Sequence, residues 1–461
     1  MSLPLSISPT RAADRRDFGQ ERRAPHPYSR AAAFITARQV LFCAETYGTV
    51  VGLIPGWGKL SVMNKHIDRC PHCGASELEV LVEIEKYSYL IRPTEFESIW
   101  RTVPMTVGLC HGCGTAMQLL PPDRGALDEI YSKYYGSYPT FASDPEMDER
   151  HREFMEFLVA AGVPMSGHAL EIGSYDGRFL ARLQSVGMTV HGCDPNAAAA
   201  AEAERAFGVT TTLEYFTPDT FPEDSFDFVS ARLVLEHVTE PDTFLAGLQK
   251  VVRTNGHVAL EVPDCGIVMA EGAPFWMYEH PNYFTATSLL RGMRRHGFDG
   301  TVTSHKGILR AVCRNTGAAL ATDDVAVDIA LAHDFRTRYR DYVARFDAVL
   351  ADVRRQGLPM AVYGIGNYFT NLLSSTSLEQ SEIVAIYDGN PKKWGLEIEG
   401  LGLPIRSPDT VNDGGPGVVL LASASYPGMM ERIAPYLDRG GKALLPLPTP
   451  VLYQRPAGAA A

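Results

Sequence analysis

The most informative segment of the chain reads His168-Ala-Leu-Glu171-Ile-Gly173-Ser-Tyr-Asp-Gly177. Residues 168–172 are predicted as a buried strand before a glycine-containing turn, and residues 178–186 follow with apolar side chains at helical spacing. Residues 189–193 are predicted as the next strand, which ends in Asp194-Pro-Asn. The order strand, turn, helix, strand is typical of parallel α/β sheets, so we predict such a sheet over residues 168–262.

Two carboxylates flank this unit. Glu171 precedes the turn in the spacing Glu-x-Gly-x-x-x-Gly, and Asp194 follows 23 residues later, at the end of the second predicted strand. A carboxylate at that strand end can accept hydrogen bonds from both hydroxyls of a ribose. An acid before the turn suits a cationic group better than a pyrophosphate. The pattern therefore differs from the dinucleotide fingerprint and favours a sulfonium nucleoside.

Further strands are predicted at residues 225–230 and 256–263, with Leu235-Glu-His237-Val between them. Together with the segments above, these motifs resemble the class I S-adenosylmethionine-dependent methyltransferases. The resemblance implies a Rossmann-like domain, S-adenosylmethionine as cofactor, and a seven-stranded sheet closed by an antiparallel hairpin, which residues 297–313 fit. The candidate cofactor-binding residues in this chain are Glu171, Gly173, Ser174, Asp176, Gly177, Asp194, Pro195 and Arg232.

One position departs from the pattern of that family. Tyr175 stands where the turn usually has its middle glycine. A residue with a side chain must adopt a strained backbone angle there or change the turn. The alternative for the whole block is an α/β domain that binds a different nucleotide.

Four of the eight cysteines form two Cys-x-x-Cys-Gly turns. Two residues between the thiolates let one turn aim both sulfurs at one ion, and the glycine lets the backbone curl back toward them. Four thiolates suit tetrahedral Zn²⁺ and leave no open coordination position, so we predict a structural zinc. The alternative is that one pair is redox-active or simply free. The predicted ligands are Cys70, Cys73, Cys110 and Cys113, and the 36-residue spacer between the pairs has room for a hairpin.

Acid–base side chains among aromatics follow the strand predicted at residues 256–263, in Trp276-Met-Tyr278-Glu279-His280-Pro-Asn-Tyr283-Phe-Thr. Ligands in such folds lie beyond the carboxyl ends of the strands. With the cysteine pairs and the C-terminal third, this segment resembles the zinc-binding sugar C-methyltransferases, which methylate carbon 3 of nucleotide-linked 4-keto deoxysugars. The resemblance covers residues 65–450 and implies that the base lies in a Tyr-His-Glu-His segment. Here Met277 and Tyr278 replace the first two of those residues.

The catalytic candidates are His280, Glu279, His237 and Tyr283. Carbon is a poor nucleophile, so a proton next to a carbonyl must be removed first, and a histidine with an ordinary pKa of about 6.5 suits that task. We expect Glu279 to orient the His280 ring or bind a substrate hydroxyl, and His237 to stabilise an enolate oxygen or position the substrate. The alternatives are a structural His280 and a helix-capping His237. The aromatic cluster 131–138 is either a lid over a sugar or plain packing.

The C-terminal third begins with apolar and aromatic side chains at steps of three and four over residues 335–353, which predicts an amphipathic packing helix. Strands are predicted at Met360–Tyr363 and Ile383–Tyr387, around Gly364-Ile-Gly366. This is half of a dinucleotide-type unit without its third glycine. The resemblance implies that this Rossmann-like domain covers the substrate and helps bind its nucleotide. A purely structural lobe is the alternative.

The composition limits the partners. A chain of 461 residues predicts two or three domains, and a net charge of −12 argues against nucleic acid. No apolar run is long enough for a membrane span, and no secretion signal is evident. The cysteine pattern indicates a reducing compartment. We therefore expect a cytoplasmic protein with a small-molecule substrate, which the resemblance implies to be a nucleotide-linked sugar, while its oligomeric state stays open.

The predicted fold class is α/β in five segments. They are a leader (1–62, disordered or upstream of the true start), a zinc-binding module (63–122), a class I methyltransferase domain (123–320), a helical connector (321–357) and a C-terminal Rossmann-like domain (358–461). The predicted function is S-adenosylmethionine-dependent C-methylation of a nucleotide-linked keto-deoxysugar or related keto metabolite through an enolate. A small-molecule O- or N-methyltransferase and a non-catalytic zinc-ribbon scaffold remain as alternatives.

Overall fold

A computed structural model describes residues 51–52, 61–62, 66–91, 99–131, 145–398, 401–423 and 426–455. The chain divides into two units, residues 1–63 and 64–461. In the first unit, strands β1 (Val51–Gly52) and β2 (Ser61–Val62) pair antiparallel. The rest of the predicted leader lies outside the described residues.

The second unit begins with the module that carries the paired cysteines. Its strands are β3 (Leu78–Ile91), β4 (Ile99–Cys110) and β5 (Ala116–Gln118), and both neighbouring pairs are antiparallel. Val82 and Ile84 are buried while Glu83 between them is exposed, which is the alternation of a strand with one face on a core. The spacer between the two cysteine pairs, which has room for a hairpin, thus holds two antiparallel strands.

A doubly wound α/β domain follows. Its elements are α1 (Arg124–Glu129), α2 (Pro145–Ala160), β6 (His168–Ile172), α3 (Arg178–Ser185), β7 (Thr189–Cys193), α4 (Ala197–Phe207), β8 (Thr211–Thr212), β9 (Phe226–Arg232), α5 (Pro241–Val251), β10 (Val252–Pro263), α6 (Cys265–Glu271), β11 (Asn282–Tyr283), α7 (Ala286–Arg295), β12 (Phe298–His305) and β13 (Ile308–Asn315).

Seven of these strands form one sheet in the order β12-β13-β10-β9-β6-β7-β8. The strands from β10 to β8 are mutually parallel, whereas β13 is antiparallel to both of its neighbours. The seven-stranded sheet closed by a hairpin, which the resemblance implied, is confirmed. Residues Phe179, Leu180 and Leu183 of α3 are buried, as the helical spacing predicted.

Strand β11 does not join that sheet. It pairs antiparallel with β5, so the cysteine-bearing module has a four-stranded sheet in the order β11-β5-β4-β3. Residues 276–283, which carry the predicted base, are therefore tied to the N-terminal module through backbone hydrogen bonds. No local sequence pattern predicts this pairing.

The C-terminal part begins with the predicted amphipathic helix, α8 (Ala326–Arg355), whose Phe335, Tyr342, Phe346, Leu350 and Val353 are buried. Its remaining elements are β14 (Met360–Tyr363), α9 (Asn367–Ser375), β15 (Ile383–Tyr387), β16 (Ile405–Arg406), β17 (Val418–Leu421), α10 (Pro427–Arg432), α11 (Ala434–Asp438), β18 (Lys442–Leu445) and β19 (Val451–Gln454).

The second Rossmann-like sheet has the order β16-β15-β14-β17-β18-β19 and is parallel except for its last strand. The strands predicted at 360–363 and 383–387 are confirmed with the same bounds. Within the described parts of the chain, no helix combines the length and the apolar character that crossing a membrane requires.

Candidate active site

Glu171 lies at the carboxyl end of β6 and is almost completely buried. The Arg232 guanidinium contacts only one of its oxygens, Oε1, at 2.9 Å from Nε and 2.8 Å from Nη2. The other oxygen, Oε2, is buried without a hydrogen-bond partner. Burial raises the pKa of Glu171 to about 7, against the opposing effect of Arg232. One carboxylate oxygen thus remains for a cationic group.

Two glycines keep the turn after β6 close to the rest of the fold. Gly173 has φ +72°, and a Cβ there would lie 2.5 Å from Val234 Cγ2. Gly177 has φ +73°, and a Cβ there would lie 2.8 Å from the Cβ of Ala203. Tyr175 adopts φ 44°. Of the two expected outcomes, a strained backbone angle or a changed turn, the structure therefore has the strained angle. A left-handed angle at a residue with a side chain costs about 1–2 kcal/mol.

Asp194 faces this turn from the end of β7. Its Oδ2 accepts a hydrogen bond from the Tyr175 backbone amide at 2.9 Å, and its Oδ1 accepts one from the Asn196 amide at 2.8 Å. Burial raises the pKa of Asp194 above its ordinary value. Each oxygen keeps a second lone pair, so the carboxylate is oriented by the backbone and still able to accept from a ribose.

The other predicted cofactor residues have different surroundings. Ser174 is buried and its hydroxyl has no partner, while Asp176 accepts a hydrogen bond from Arg178 Nε at 3.0 Å. Pro195 is exposed. Arg232 stacks over the Phe179 ring at 4.1 Å in addition to its contact with Glu171. These positions remain predictions for cofactor binding.

The residues around the turn fit S-adenosylmethionine. The unpartnered Glu171 oxygen and Ser174 hydroxyl are polar atoms left over inside the fold, and buried polar atoms of this kind need a partner. The oriented Asp194 suits a ribose, and the glycine turn brings the backbone close to any occupant. When bound, this cofactor supplies an electrophilic methyl group.

His237 and His280 lie against each other, with ring centroids 4.5 Å apart and planes at 81°. His237 ends a short 3₁₀ turn after β9, Leu235–His237, and His280 belongs to the segment before β11. His237 Nδ1 lies 2.9 Å from the backbone oxygen of Glu279 and 2.5 Å from the Tyr131 hydroxyl. A carbonyl oxygen can only accept, so we assign the proton of His237 to Nδ1.

Both histidines are held in the neutral form by burial. Desolvation lowers the pKa of His237 to about 4 and lowers that of His280 well below its ordinary value, with the neighbouring His237 adding to the effect. Burial also raises the pKa of Glu236, whose Oε1 is 3.9 Å from His237 Nε2, to about 8. The ordinary pKa assumed for His280 from sequence is therefore too high, because the ring is desolvated.

The remaining catalytic candidates, Glu279 and Tyr283, each take part in a hydrogen bond that involves a backbone carbonyl. The backbone carbonyl of Glu279 holds His237, and the Tyr283 hydroxyl donates to the Met277 carbonyl at 3.2 Å. Tyr278 stacks on Tyr89 of β3, with centroids 4.5 Å apart. The tyrosine that replaces a histidine of the related segment thus packs on the cysteine-bearing module. Of the proposed aromatic lid, only Tyr131 lies within the described residues.

A cavity of about 700 Å³ lies between the catalytic domain and the C-terminal domain. His280 and Tyr283 line one side, and Tyr368, Tyr426 and Leu447 line the other. A volume of this size accommodates a small-molecule ligand. The predicted base therefore faces a cavity that both domains build.

The four predicted zinc ligands come together although two turns far apart in sequence supply them. Cys70 Sγ lies 3.6 Å from Cys113 Sγ, Cys73 Sγ lies 3.5 Å from Cys110 Sγ, and all four sulfurs lie within 4.8 Å of one another. Zinc–sulfur bonds of about 2.3 Å in a tetrahedron require sulfurs about 3.8 Å apart. The backbone amides of His72 and Gly112 point at Cys70 and Cys110. The four thiols fit tetrahedral zinc.

Sequence reasoning missed three buried carboxamides that grip residues 276–283. Gln118 and Asn282 bond to backbone groups around the two histidines, and Asn371 of α9 pairs with both the amide and the carbonyl of Trp276 at 2.7 Å. The carbonyl partners of the Gln118 and Asn282 side chains lie 44 to 162 positions away along the chain. Only the position of Asn282 two residues after His280 offered a signal.

Two family models match the chain. A methyltransferase domain matches residues 145–303, and a C-methyltransferase C-terminal domain matches residues 318–448. The C-methyltransferase NovU of Streptomyces niveus is 26% identical over 376 residues, which cover 75% of this chain and 87% of the relative. The methyltransferase domain, residues 145–303, is much shorter than this match. The match therefore also includes the cysteine-bearing module, the C-terminal domain or parts of both.

Among solved structures, the 1,6-didemethyltoxoflavin-N1-methyltransferase of Burkholderia thailandensis is 19% identical, with 44% of this chain and 96% of that chain covered and a TM-score of 0.34. An S-adenosylmethionine-dependent methyltransferase from Mesorhizobium loti is also 19% identical, with coverages of 34% and 96% and a TM-score of 0.30. The two family models and the relationship to NovU carry the assignment. The chain is a class I S-adenosylmethionine-dependent methyltransferase of the C-methyltransferase type.

Proposed function

We propose that this enzyme methylates a carbon next to the carbonyl of a nucleotide-linked keto-deoxysugar, and that His280 removes the proton from that carbon. The observation that carries the proposal is the buried, neutral His280 in the wall of the cavity between the two domains. A general base must be unprotonated and within reach of the substrate proton. The relationship to a C-methyltransferase supports transfer to carbon.

Each histidine has a distinct task in this proposal. His280 takes the proton, and the positive charge on its ring then lies beside the negative enolate. His237 keeps its proton on Nδ1 for the Glu279 carbonyl, so its Nε2 accepts a hydrogen bond and positions a substrate hydroxyl. Of the two roles expected for His237, positioning fits this tautomer, because stabilising an enolate oxygen requires a proton on Nε2.

The cofactor pocket completes the site. We propose that Glu171 and Asp194 hold the ends of S-adenosylmethionine, which supplies the methyl group when it is bound. Asp194 would accept from the ribose, and the free Glu171 oxygen would accept from the ammonium group of the methionine end. The wall of Tyr368, Tyr426 and Leu447 would cover the acceptor and exclude water.

We also propose that Cys70, Cys73, Cys110 and Cys113 bind one structural Zn²⁺ per chain. The spacing of the sulfurs supports it, and four thiolates leave no position for substrate. The chemistry is thereby assigned to the histidines. Elemental analysis of the purified protein should give one zinc per chain, and a metal-free protein of normal stability would disprove the site.

The test of the proposed reaction uses a panel of nucleotide-linked 4-keto deoxysugars with methyl-labelled S-adenosylmethionine, and reads the products by mass and NMR. We expect one carbon-bound methyl group per product. The enzyme with S-adenosylhomocysteine in heavy water should also exchange the substrate proton at the acceptor carbon. A methyl group on oxygen or nitrogen without such exchange would favour the O- or N-methyltransferase alternative.

The role of His280 is tested by His280→Gln. A positioned base contributes about 10²- to 10⁴-fold to the rate, so turnover should fall by that factor while calorimetric binding of S-adenosylhomocysteine stays unchanged. His296→Gln is the matched control, because His296 belongs to the same domain and pairs with Asp242 away from the cavity. A His280→Gln enzyme with near-normal turnover would refute the assignment.

A further inference from the structure

Gln118, at the end of β5, organises the backbone of the segment that carries His280. Its side chain is 1% exposed, and its Nε2 lies 2.9, 3.0 and 2.8 Å from the carbonyl oxygens of Met277, Tyr278 and His280. Three acceptors around one atom fix that atom as the amide nitrogen. The Gln118 backbone amide also donates to the Pro281 carbonyl at 2.8 Å. One residue of the cysteine-bearing module therefore shapes both flanks of His280.

Asn282 connects the first cysteine turn to the loop that carries His237. Its Nδ2 donates to the carbonyls of Leu235 at 3.2 Å and Val238 at 2.7 Å. These two acceptors fix the orientation of the amide, so its Oδ1 faces His72 Nε2 at 2.8 Å. His72 Nε2 must then carry the proton that it donates.

His72 itself is held by the cysteine turn. It lies between Cys70 and Cys73, its backbone amide points at the Cys70 sulfur at 3.4 Å, and its ring is buried edge-on against Phe284 at 5.4 Å. Its backbone oxygen accepts a hydrogen bond from Arg295 of α7. A continuous chain of contacts thus runs from the proposed zinc site through His72 and Asn282 to both sides of His237.

We propose that Gln118 and Asn282 are positioning residues through which the cysteine-bearing module sets the mutual geometry of His237 and His280. This inference rests on the proposed function of the two histidines. Each amide bonds to the carbonyls that flank one histidine, and both amides belong to the four-stranded sheet of the module. A displacement of catalytic groups by about 1 Å costs up to about 10²-fold in rate. The module is therefore part of the active-site framework as well as a folding unit.

The test starts at the far end of the chain of contacts, with His72→Phe. This change removes the donor to Asn282 and keeps an aromatic ring against Phe284, and it touches neither histidine. The readout is the NMR signal of ¹³Cε1-labelled histidine for His237 and His280, assigned through His237→Gln and His280→Gln. We expect both shifts to change while zinc content and S-adenosylhomocysteine affinity stay normal.

Asn282→Ala should have a larger effect, and the chain supplies a matched control for it. Asn315 is also 2% exposed, donates to two backbone carbonyls, of Val252 at 2.7 Å and Gln249 at 3.3 Å, and lies far along β13 from the histidines. The two alanine variants should lower the melting temperature similarly. Only Asn282→Ala should shift the His237 signal and lower kcat, by about 10- to 100-fold. The KM for the keto-sugar substrate should stay nearly unchanged.

Gln118→Met is an independent test if Asn282→Ala does not fold, because methionine has a similar side-chain volume but no amide group to donate. This variant should perturb the His280 signal more than the His237 signal. Unchanged histidine signals and kcat in His72→Phe and in either amide variant would overturn the inference. That outcome leaves the proposed reaction intact. Failure of the proposed reaction would instead appear as normal turnover in His280→Gln, with the histidine signals still sensitive to Asn282.

Discussion

The catalytic domain and the C-terminal domain each have an aspartate at the end of their second strand that accepts hydrogen bonds from two backbone amides. Asp194 and Asp388 each accept a hydrogen bond from an amide in the preceding turn, of Tyr175 at 2.9 Å and Ile365 at 3.2 Å. Each also accepts one from the amide two residues further on, at 2.8 and 2.9 Å. The first residue of each turn is a glycine with positive φ. The two crevices therefore share their backbone frame.

The side chains inside that frame differ. Asp388 pairs with Lys393 Nζ at 2.8 Å, and the same ammonium donates to the Ile365 carbonyl at 3.2 Å, so a cation lies where a ribose would approach. The strand position two residues before the turn glycine is the carboxylate Glu171 in one domain and the buried Val362 in the other. A shared frame thus does not imply a shared ligand, and we expect S-adenosylmethionine in the first crevice alone.

The largest contrast is expected between Asp194→Ala and Asp388→Ala. Asp194→Ala removes a charged acceptor of the ribose, and hydrogen bonds to charged groups contribute about 1.5–3 kcal/mol each. Calorimetry should show S-adenosylmethionine binding about 100-fold more weakly, whereas Asp388→Ala should leave the affinity unchanged. Equal losses in both variants would contradict the assignment of the cofactor to one crevice.

Glu171→Gln should weaken cofactor binding less, by about tenfold, because the amide oxygen still faces Arg232 while the negative charge is lost. The pKa of Glu171, about 7, adds a pH signature. A carboxyl that must be ionised to hold a cation loses affinity as the pH falls through its pKa, so wild-type affinity should fall below pH 7. The Glu171→Gln affinity should stay flat over the same range, and a parallel decline in both proteins would refute this role.

The pH dependence of catalysis should also originate in the catalytic domain, because residues 358–461 contain no histidine. The pKa of His280 is lowered, so the ring stays neutral and competent as the pH falls through 6.5. With S-adenosylmethionine saturating, the acid limb of kcat/KM for the keto-sugar should therefore have its midpoint below pH 6.5, and activity should fall about tenfold per pH unit beneath it. A midpoint at or above 6.5 would show that His280 is not desolvated as described.

The smallest effect is expected from Lys393→Met. The Asp388–Lys393 pair is largely buried, but without the lysine Asp388 still accepts hydrogen bonds from the backbone amides of Ile365 and Asn390. The melting temperature should fall slightly, with one S-adenosylmethionine bound per chain as in the wild type. A second cofactor bound by Lys393→Met would show that the lysine alone keeps the C-terminal crevice closed to that ligand.

Local patterns predicted much of the fold. The bounds of β6, β7, β14 and β15 follow from strand-like segments that end at a turn, and for Tyr175 the sequence predicts either a strained backbone angle or a changed turn. The cysteine cluster was predictable because each pair is encoded within four residues. These features depend on residues close together in the sequence.

The rest of the site depends on contacts between distant segments. Gln118 meets residues about 160 positions away, and His72 meets Asn282 across 210 positions. No periodicity encodes such partners, because one buried amide looks like any other polar residue in the sequence. The lowered pKa of His280 was unpredictable for the same reason, since desolvation depends on every element packed around the ring.

The most direct test of the comparison is a crystal structure with S-adenosylhomocysteine at saturating concentration. We predict ligand density at the 173–177 turn, with both ribose hydroxyls on the Asp194 carboxylate and the amino group near Glu171, and no ligand at Asp388. Density at the Gly364 turn beside Asp388, or a ligand that does not contact Asp194, would contradict the account.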